Sequence, residues 1–156
     1  MTQGIERVRE RLREQGAAGE VRMLPDSART AATAAAGLGV EVGQIANSLI
    51  FEADGEPVLV IASGGHRVDT ERVAGHLGVT AVRRADPPFV RDATGFTIGG
   101  VPPVGHDKPL RTVVDDDLVR YDTIWAAAGH PHAVFPTTHG ELLRMTGGTP
   151  ADVGCP

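Results

Sequence analysis

Cysteine, lysine and aromatic residues are all scarce in this chain of 156 residues. Its single cysteine, Cys155, rules out a disulfide bond within the chain. With aromatic residues at 4%, the core has to be built from valine, leucine, isoleucine and alanine. Lys108 is the one lysine among 15 basic residues, and the 20 acidic residues bring the net charge to −5. Such a chain is a poor candidate for gripping a long nucleic-acid backbone, although contact with an RNA end remains compatible with it.

Several segments and motifs that define protein classes are also missing. No run approaches the roughly 20 apolar residues of a transmembrane helix, and the first residues hold no apolar stretch typical of a signal peptide. We therefore expect a cytoplasmic protein without a membrane partner. The sequence also has no phosphate-binding Gly-Lys-Ser/Thr loop, no Gly-x-Ser-x-Gly nucleophile elbow, no Gly-x-Gly-x-x-Gly and no i, i+4 histidine pair of a zinc protease.

Two segments could in principle bind a metal ion, but a simpler interpretation is favoured for each. His130-Pro131-His132 could chelate a metal, yet no carboxylate or thiolate stands at a ligand-like spacing, and a solvated loop explains it as well. The three carboxylates 115–117 suggest Mg²⁺, but adjacent carboxylates rarely converge on one ion, so Asp115 is expected to cap a turn. We expect neither a metal nor a cofactor.

Helical periodicity and capping signals predict four or five short helices. They are a helix around residues 5–12, one capped by Ser27 that ends at residue 36, one from Asp69 to residue 77, one that begins at Asp86-Pro87, and one that ends at residue 145. Thr138 and Glu141 predict a capping box at the start of the last helix.

Apolar segments between turn residues predict about seven strands. They lie at residues 21–24, 48–53, 57–63, 79–83, 110–114, 123–128 and 133–136. Residues 58–62 are apolar throughout, so we expect that strand to be buried on both faces. Because strands and helices do not alternate regularly, the favoured fold class is α+β, with a mixed sheet or barrel flanked by short helices. We expect one domain over residues 1–156, with the helix of residues 1–20 at its start.

A glycine-rich segment at residues 95–106 stands out in the second half of the chain. It holds four glycines at 95, 99, 100 and 105 together with Pro102-Pro103, and it ends in His106. Glycines permit positive φ and close approach of a ligand, while the prolines stiffen the loop between them. Exposed backbone N–H groups in such a loop can hold a carbonyl or an oxyanion, although a structural turn at a strand end explains the composition as well.

The order of several segments resembles the YbaK/EbsC-like family, the trans-editing domains related to the insertion domain of bacterial prolyl-tRNA synthetase. The segments lie at residues 27–32, 43–51, 58–63, 67–69, 94–96, 99–106 and 125–129. Each is weakly specific, whereas the ordered set is strongly specific, and it covers residues 21–145. The helix before residue 21 carries no part of the resemblance.

This resemblance implies a mixed β-barrel flanked by helices, with a pocket for the aminoacyl end of a tRNA. It also implies hydrolysis of the ester between a wrong amino acid and tRNA, with no metal and no covalent enzyme intermediate. In that scheme backbone N–H groups stabilise the oxyanion and a ribose hydroxyl of the substrate assists. Gly99, Gly100 and Gly105 would belong to the donor loop, and Gly129 to a second loop that lines the pocket. A synthetase is a further candidate partner, and the oligomeric state stays open.

The chain departs from the family pattern at two places. Asn47 aligns with the lysine that the family carries in its pocket, and an amide can donate a hydrogen bond but brings no charge. If that position acts electrostatically, activity falls by about 10²-fold or more. Ala127-Ala128-Gly129 replaces the polar Ser-Gly-Gly of the cysteine-removing members, so their substrate choice does not transfer. The alternative function is therefore a weak or inactive module that binds aminoacyl-RNA or an aminoacyl-like small molecule.

Three further side chains complete the predicted site. His106 follows the glycine loop directly, and we hypothesise that it orients water or the terminal adenosine, with capping of the turn as the equal alternative. Arg29 and Thr30 stand at the start of the alanine-rich helix, where an arginine can bind a tRNA phosphate. An ion pair of Arg29 with Asp26 or Glu20 is the alternative. Trp125 is interpreted as core or barrel-wall packing.

Overall fold

A mixed β-sheet with helices on both faces forms the protein, in a computed structural model that describes residues 2–25, 30–97 and 100–155. The helices of this part of the chain are α1 (Thr2–Glu14), α2 (Ala31–Leu38), α3 (Thr70–Leu77), α4 (Pro87–Thr94) and α5 (His139–Thr146). The strands are β1 (Arg22–Met23), β2 (Ile45–Ala53), β3 (Glu56–Ser63), β4 (Arg67–Val68), β5 (Val82–Arg84), β6 (Arg111–Asp115), β7 (Ile124–Ala127), β8 (Ala133–Thr137), β9 (Thr149–Ala151) and β10 (Gly154–Cys155).

The main sheet runs in the order β1-β8-β7-β2-β3-β6-β9, and β5 pairs with the C-terminal end of β2. The pairs β2–β7, β3–β6 and β6–β9 are parallel, whereas β1–β8, β7–β8, β2–β3 and β2–β5 are antiparallel. Strands β4 and β10 form a separate antiparallel pair. The predicted α+β class with a mixed sheet and flanking helices is confirmed.

Of the two predicted alternatives, the mixed sheet is correct and the barrel that the family resemblance implies is wrong, because the sheet of the described residues stays open. Its edge strands are β1 and β9, which lie at opposite ends of the strand order and do not pair with each other. Closure into a barrel requires that pairing. All seven predicted strands are present, and the sequence pattern missed β4, β9 and β10. Strands of two or three residues are too short to show an alternation of apolar and polar positions.

Strand β3 divides the core into two layers. It pairs along its whole length with β2, and Val58 to Ala62 are all buried. Leu59 and Ile61 pack in the cluster that contains α1, whereas Val58 and Val60 pack in the cluster that contains α3. The expected burial of this strand on both faces is confirmed.

Helix α1 is part of the main core even though it lies before the family-like segments. Ile5, Val8 and Leu12 are all buried, and they belong to the same hydrophobic cluster as Leu59 and Ile61 of β3. At the start of the helix, Gly4 lies directly against Gly129, since a Cβ built on Gly4 would stand 2.6 Å from the Gly129 carbonyl oxygen. The helix therefore supports the loop that follows β7.

The helix caps follow the sequence signals in most cases. Asp69 and Asp86 accept backbone N–H bonds as N-caps of α3 and α4, as predicted. Helix α2 begins later than predicted, because Thr30 is its N-cap and forms a reciprocal capping box with Thr33. The predicted cap, Ser27, lies outside the described residues.

The capping box predicted for α5 is only half present. The Thr138 hydroxyl accepts a hydrogen bond from the backbone N–H of Glu141, so the N-cap itself is confirmed. The Glu141 carboxylate does not complete the box, because it accepts hydrogen bonds from the Thr137 hydroxyl and the backbone N–H of Ala18 instead. Glu141 thereby ties α5 to the segment after α1.

Replacing Gly4 or Gly75 by alanine tests the contact between α1 and the loop at Gly129. Both glycines are helical, so each substitution gains roughly 1 kcal/mol of helix propensity. A Cβ at Gly75 meets no atom within 4 Å, and we expect Gly75→Ala to raise the melting temperature. A Cβ at Gly4 meets backbone at 2.6 Å, and we expect Gly4→Ala to lower it. Thermal unfolding followed by circular dichroism measures the melting temperatures of both variants. Equal increases in melting temperature would contradict the close contact between Gly4 and Gly129.

Candidate functional site

A small cleft lies between α2 and the sheet face formed by β2, β7 and β8. It encloses about 30 Å³, which is room for only one or two water molecules. Its walls include Ala34, Asn47, Trp125, Ala127, His130 and Val134. We call this feature the Asn47 cleft.

Strand register places the walls of the Asn47 cleft on one face of the sheet. Arg22 of β1 pairs with Val134 of β8, and Val134 pairs with Ala127 of β7. Strand β7 runs parallel to β2, and Ala46 of β2 pairs with Ala126 of β7. One residue further along both strands, Asn47 therefore lies beside Ala127. Because laterally paired residues point to the same face, these four form a row across the sheet. Trp125 precedes Ala127 by two residues and therefore lies on the same face.

Asn47 is half-buried and lines the cleft. The amide can donate and accept hydrogen bonds, but it supplies no positive charge. Its small neighbours, Ala34 on the helix and Ala127 on the strand, leave the space around it open. The position predicted from the family pattern therefore lies in a cleft rather than in the packed core.

The turn after β7 holds His130 in a defined tautomer. The backbone N–H of His132 donates to Nδ1 of His130 at 3.1 Å. Since Nδ1 accepts, the neutral ring carries its proton on Nε2. The ring lines the Asn47 cleft, so this arrangement provides an N–H donor at the cleft wall. His132 is itself anchored to the residue that follows β1, because its Nδ1 donates to the Leu24 carbonyl and its carbonyl accepts from the Leu24 N–H.

Gly100 joins the glycine-rich segment to this turn. A Cβ on Gly100 would lie 3.0 to 3.2 Å from the backbone N, Cα and C atoms of His130. The absence of a side chain is what allows the two loops to touch. The N–H of Gly100 donates to the Thr97 carbonyl at 3.2 Å, so this donor is engaged in the loop itself. Gly99, predicted as its neighbour in the donor loop, lies outside the described residues.

Gly129 has a positive φ of 89° and faces the start of α1. A Cβ on Gly129 would lie 2.6 Å from the Gly4 carbonyl oxygen and 3.1 Å from the Phe96 ring. Both the backbone angle and the contact require glycine at this position. The predicted pocket glycine therefore fixes the path of the chain as it enters the turn that holds His130.

His106 lies in a second cleft, of about 260 Å³, that shares no lining residue with the Asn47 cleft. Its Nε2–H donates to the Pro102 carbonyl at 2.7 Å, and its ring meets Phe96 edge-on. Arg7 of α1 donates to the carbonyl of Gly105 and pairs with Asp107 beside it. The structure therefore brings His106 and Gly105 together under α1, and it does not bring either to Asn47.

Burial lowers the pKa of His106 below its ordinary value of 6.5. The hydrogen bond to Pro102 and the carboxylate of Asp107 act in the opposite direction, whereas Arg7 and Arg11 lower the pKa further. A neutral imidazole with its proton on Nε2 suits the turn contact that the structure shows.

Two predicted substrate-binding residues begin the alanine-rich helix. Arg29 lies outside the described residues. Thr30 is exposed, and its hydroxyl and backbone are engaged with Thr33 in the N-terminal cap of α2. Ala34, one turn later, lines the Asn47 cleft. The described part of the predicted helix start thus lies one turn away from the cleft.

Asp115 has the capping role that the sequence predicts. Its buried carboxylate accepts hydrogen bonds from the backbone N–H groups of Ser63 and Asp117. It also pairs with the imidazole of His66. Among the described residues, no group of three histidine, cysteine, aspartate or glutamate side chains is placed to hold a metal ion.

Sequence reasoning missed two residues of the cleft. The predicted packing role of Trp125 is confirmed, because its ring packs against Ala34, Ala35 and Ile45, but the sequence does not place it in a cleft. His130 is predicted only as part of a solvated loop or as a metal candidate. Alternation along β7 carried a signal for the first, because Ile124 and Ala126 are buried whereas Trp125 and Ala127 are half-buried on the other face. No sequence signal marks His130, since its placement depends on the contact of its backbone with Gly100 and on the hydrogen bonds between its neighbour His132 and Leu24.

A model of the aminoacyl-tRNA editing domain matches residues 25–145 of this chain. The chain belongs to that family. The matched region contains α2, the Asn47 cleft and the glycine-rich segment, whereas α1 precedes it. The family resemblance derived from the ordered sequence segments is confirmed. No helix among the described residues has the length and apolar character needed to span a membrane.

Curated relatives and solved structures agree with this assignment. An uncharacterised protein of Bacillus subtilis, YwhH, is 32% identical over 121 residues, which cover 77% of this chain and 76% of YwhH. EbsC of Enterococcus faecalis, named as a candidate Cys-tRNA(Pro)/Cys-tRNA(Cys) deacylase, is 25% identical over 75% of this chain and 77% of its own length.

A proline–tRNA ligase of Desulfotalea psychrophila is 37% identical over 76 residues, which cover 49% of this chain but only 13% of the ligase. Among solved structures, one described as a candidate trans-editing enzyme for prolyl-tRNA synthetase is 42% identical. It covers 100% of this chain and 99% of its own, with a TM-score of 0.92.

The lowered pKa of His106 predicts a component of stability that is lost on acidification. Below about pH 6.5, the unfolded chain takes up a proton at this residue that the folded protein resists. The free energy of unfolding therefore falls as the pH drops from 6.5 towards the folded pKa. His106→Gln removes the titration and keeps an N–H donor for Pro102, so we expect its stability to depend less on pH.

Denaturant unfolding of both proteins between pH 7.5 and pH 5 measures this difference. All other titratable groups are common to the two proteins, so the difference between their pH profiles isolates His106. Parallel profiles would show that His106 is not buried as a neutral ring.

Proposed function

We propose that this chain hydrolyses the ester bond of mischarged aminoacyl-tRNA in trans, with the ester carbonyl held beside Asn47 at the mouth of the Asn47 cleft and the aminoacyl group outside it. The observation that carries the proposal is the position of Asn47 in a small-walled cleft beside the 129–132 turn. Membership of the aminoacyl-tRNA editing family supports it, as does the similarity to EbsC and to the trans-editing enzyme structure.

The side chains of the cleft favour a mechanism without an enzyme nucleophile. Within the described residues, its lining contains no serine, threonine, cysteine, aspartate or glutamate. The groups available for chemistry are the amide of Asn47 and the imidazole of His130. Neither is an activated nucleophile with its own base. Positioning of the ester and a water molecule, with help from a ribose hydroxyl of the substrate, is the chemistry that fits this lining.

Backbone donors for the oxyanion come from the 129–132 turn in this proposal. The N–H of Ala128 donates to the Ala133 carbonyl, and the N–H of His132 donates to His130. Those of Gly129 and His130 have no acceptor within the described part of the chain. Both residues are only half-buried, so a substrate oxygen could accept their hydrogen bonds. A single donor of this kind contributes about 10²-fold to 10³-fold in rate.

Two observations favour a second candidate function, in which the protein has little catalytic activity. Asn47 offers no charge where the family pattern has lysine, and the N–H of Gly100 is already bound to Thr97. Both reduce the stabilisation available to an oxyanion. The second candidate is a module that binds aminoacyl-RNA or an aminoacyl-like small molecule with little turnover.

A panel of mischarged tRNAs incubated with the purified protein tests the proposal. We expect selective loss of one or a few aminoacyl groups. Asn47→Ala removes one hydrogen-bonding amide, which is equivalent to about 1 kcal/mol, so the rate for those substrates should fall roughly fivefold. Asn47→Lys restores a positive charge at the family position and should raise the rate if charge limits the reaction. The measurement is the deacylation rate of each variant, compared with the rate of the unmodified protein.

Glu52→Ala serves as the matched control on the same strand. Glu52 lies at the opposite end of β2 and forms a surface ion pair with Arg83, which contributes little to stability. Its deacylation rate should equal that of the unmodified protein. Tight binding of an aminoacyl-tRNA without turnover of any panel member would reject hydrolysis in favour of the binding module.

A further inference from the structure

Trp125 is the single tryptophan of the chain, and it stands at the edge of the Asn47 cleft. On one side its ring packs against the small cluster that contains Ala34, Ala35 and Ile45. The side chain remains half-buried rather than enclosed. A ring that rests on alanines and remains partly open is a surface on which a flat ligand can stack.

Arg22 lies next to this ring. Its guanidinium carbon is 5.9 Å from the centre of the Trp125 ring, at the outer limit of a cation–π contact. None of the ten ion pairs among the described residues includes Arg22. The side chain is exposed, so the guanidinium can move towards or away from the ring at little cost.

The spacing of this pair from Asn47 matches the dimensions of one nucleoside. Trp125 and Asn47 lie on neighbouring strands, two residues apart along the strand direction, which separates their Cα atoms by about 8 Å. In an aminoacyl-tRNA the ribose alone separates the ester from the terminal base. An ester held at Asn47 therefore places the adenine near Trp125.

The separation of the Arg22 guanidinium from the Trp125 ring is somewhat smaller than the separation that a sandwiched base requires. A base between two flat groups needs about 3.5 Å on each side, or about 7 Å in all. The guanidinium carbon lies 5.9 Å from the ring centre, so the exposed side chain has to move outward by at least about 1 Å to admit a base. Unpaired bases are commonly held in this way, stacked on aromatic rings and on arginine planes.

We infer that Arg22 and Trp125 form a stacking site for the 3′-terminal adenine of the tRNA. This inference rests on the proposed function, because it takes the ester position at the mouth of the Asn47 cleft as its reference point. It assigns to Arg22 a binding role through its planar guanidinium, and to Trp125 a role beyond packing. It also explains how an acidic chain holds an RNA end with few phosphate contacts.

Fluorescence of Trp125 tests the site without any need for hydrolysis. The probes are the trinucleotides CCA and CCU, which differ only in the terminal base. We expect CCA to quench the emission with saturation and to bind more tightly than CCU, because a purine offers the larger stacking surface. Loss of one stacking partner typically weakens binding by roughly fivefold or more, so Arg22→Ala should weaken CCA binding to that extent.

Two variants sharpen the result. Arg84→Ala removes a similar contact elsewhere, since the Arg84 guanidinium lies 5.6 Å from the centre of the Phe51 ring, and it should leave CCA binding unchanged. Arg22→Lys keeps the charge but loses the planar group, and it should lose the preference for CCA over CCU. Full retention of that preference in Arg22→Lys, or no quenching by CCA at all, would overturn the inference.

The outcomes separate this site from the proposed function. Quenching by CCA in a protein that deacylates no member of the tRNA panel would support the stacking site and reject hydrolysis. Deacylation of a mischarged tRNA, together with equal binding of CCA and CCU, would support hydrolysis and reject the stacking site.

Discussion

The pairing of β2 with β3 on one side and with β7 on the other is the constraint on which the rest of the structure depends. The antiparallel register with β3 runs over the whole of that strand, and the parallel register with β7 sets Asn47 beside Ala127. A slip of one residue would turn every side chain of β2 to the opposite face. Asn47 would then enter the core, and Ile50 would leave it. Such a slip would cost too much free energy, because the apolar side chains of β3 are buried on both faces of the sheet.

Close backbone contacts then bring the loops to the sheet. Gly4 and Gly129 touch through their backbones, and so do Gly100 and the turn at His130. Glycine permits these approaches because a Cβ at any of the three positions would meet backbone atoms at 2.6 to 3.0 Å. Helix α1 thus supports one loop of the Asn47 cleft even though it precedes the family region. His106 stabilises the glycine-rich segment at its other end, where its neutral ring donates a hydrogen bond to the Pro102 carbonyl.

Much of the fold could be predicted from local signals. Asp69, Asp86 and Thr138 are N-caps as expected, and each of the seven predicted strands is present. The errors have physical causes. Barrel closure depends on whether distant edge strands meet, and the short strands β4, β9 and β10 are held by their partners rather than by their own residues. Helix α2 begins directly after Thr30, because Thr33 completes the cap that Thr30 forms.

Local patterns in the sequence predict most of the secondary structure, the buried central strand and the family, because these depend on periodicity, capping chemistry and the order of short motifs. They also identify Asn47 as the position that departs from the family pattern. Which of these singled-out residues come into contact depends on the tertiary structure. It brings Asn47 together with Trp125 and His130, which are about 80 residues away along the chain, and it places His106 in a different cleft. Contacts of that kind depend on strand register and loop packing, which no local pattern encodes.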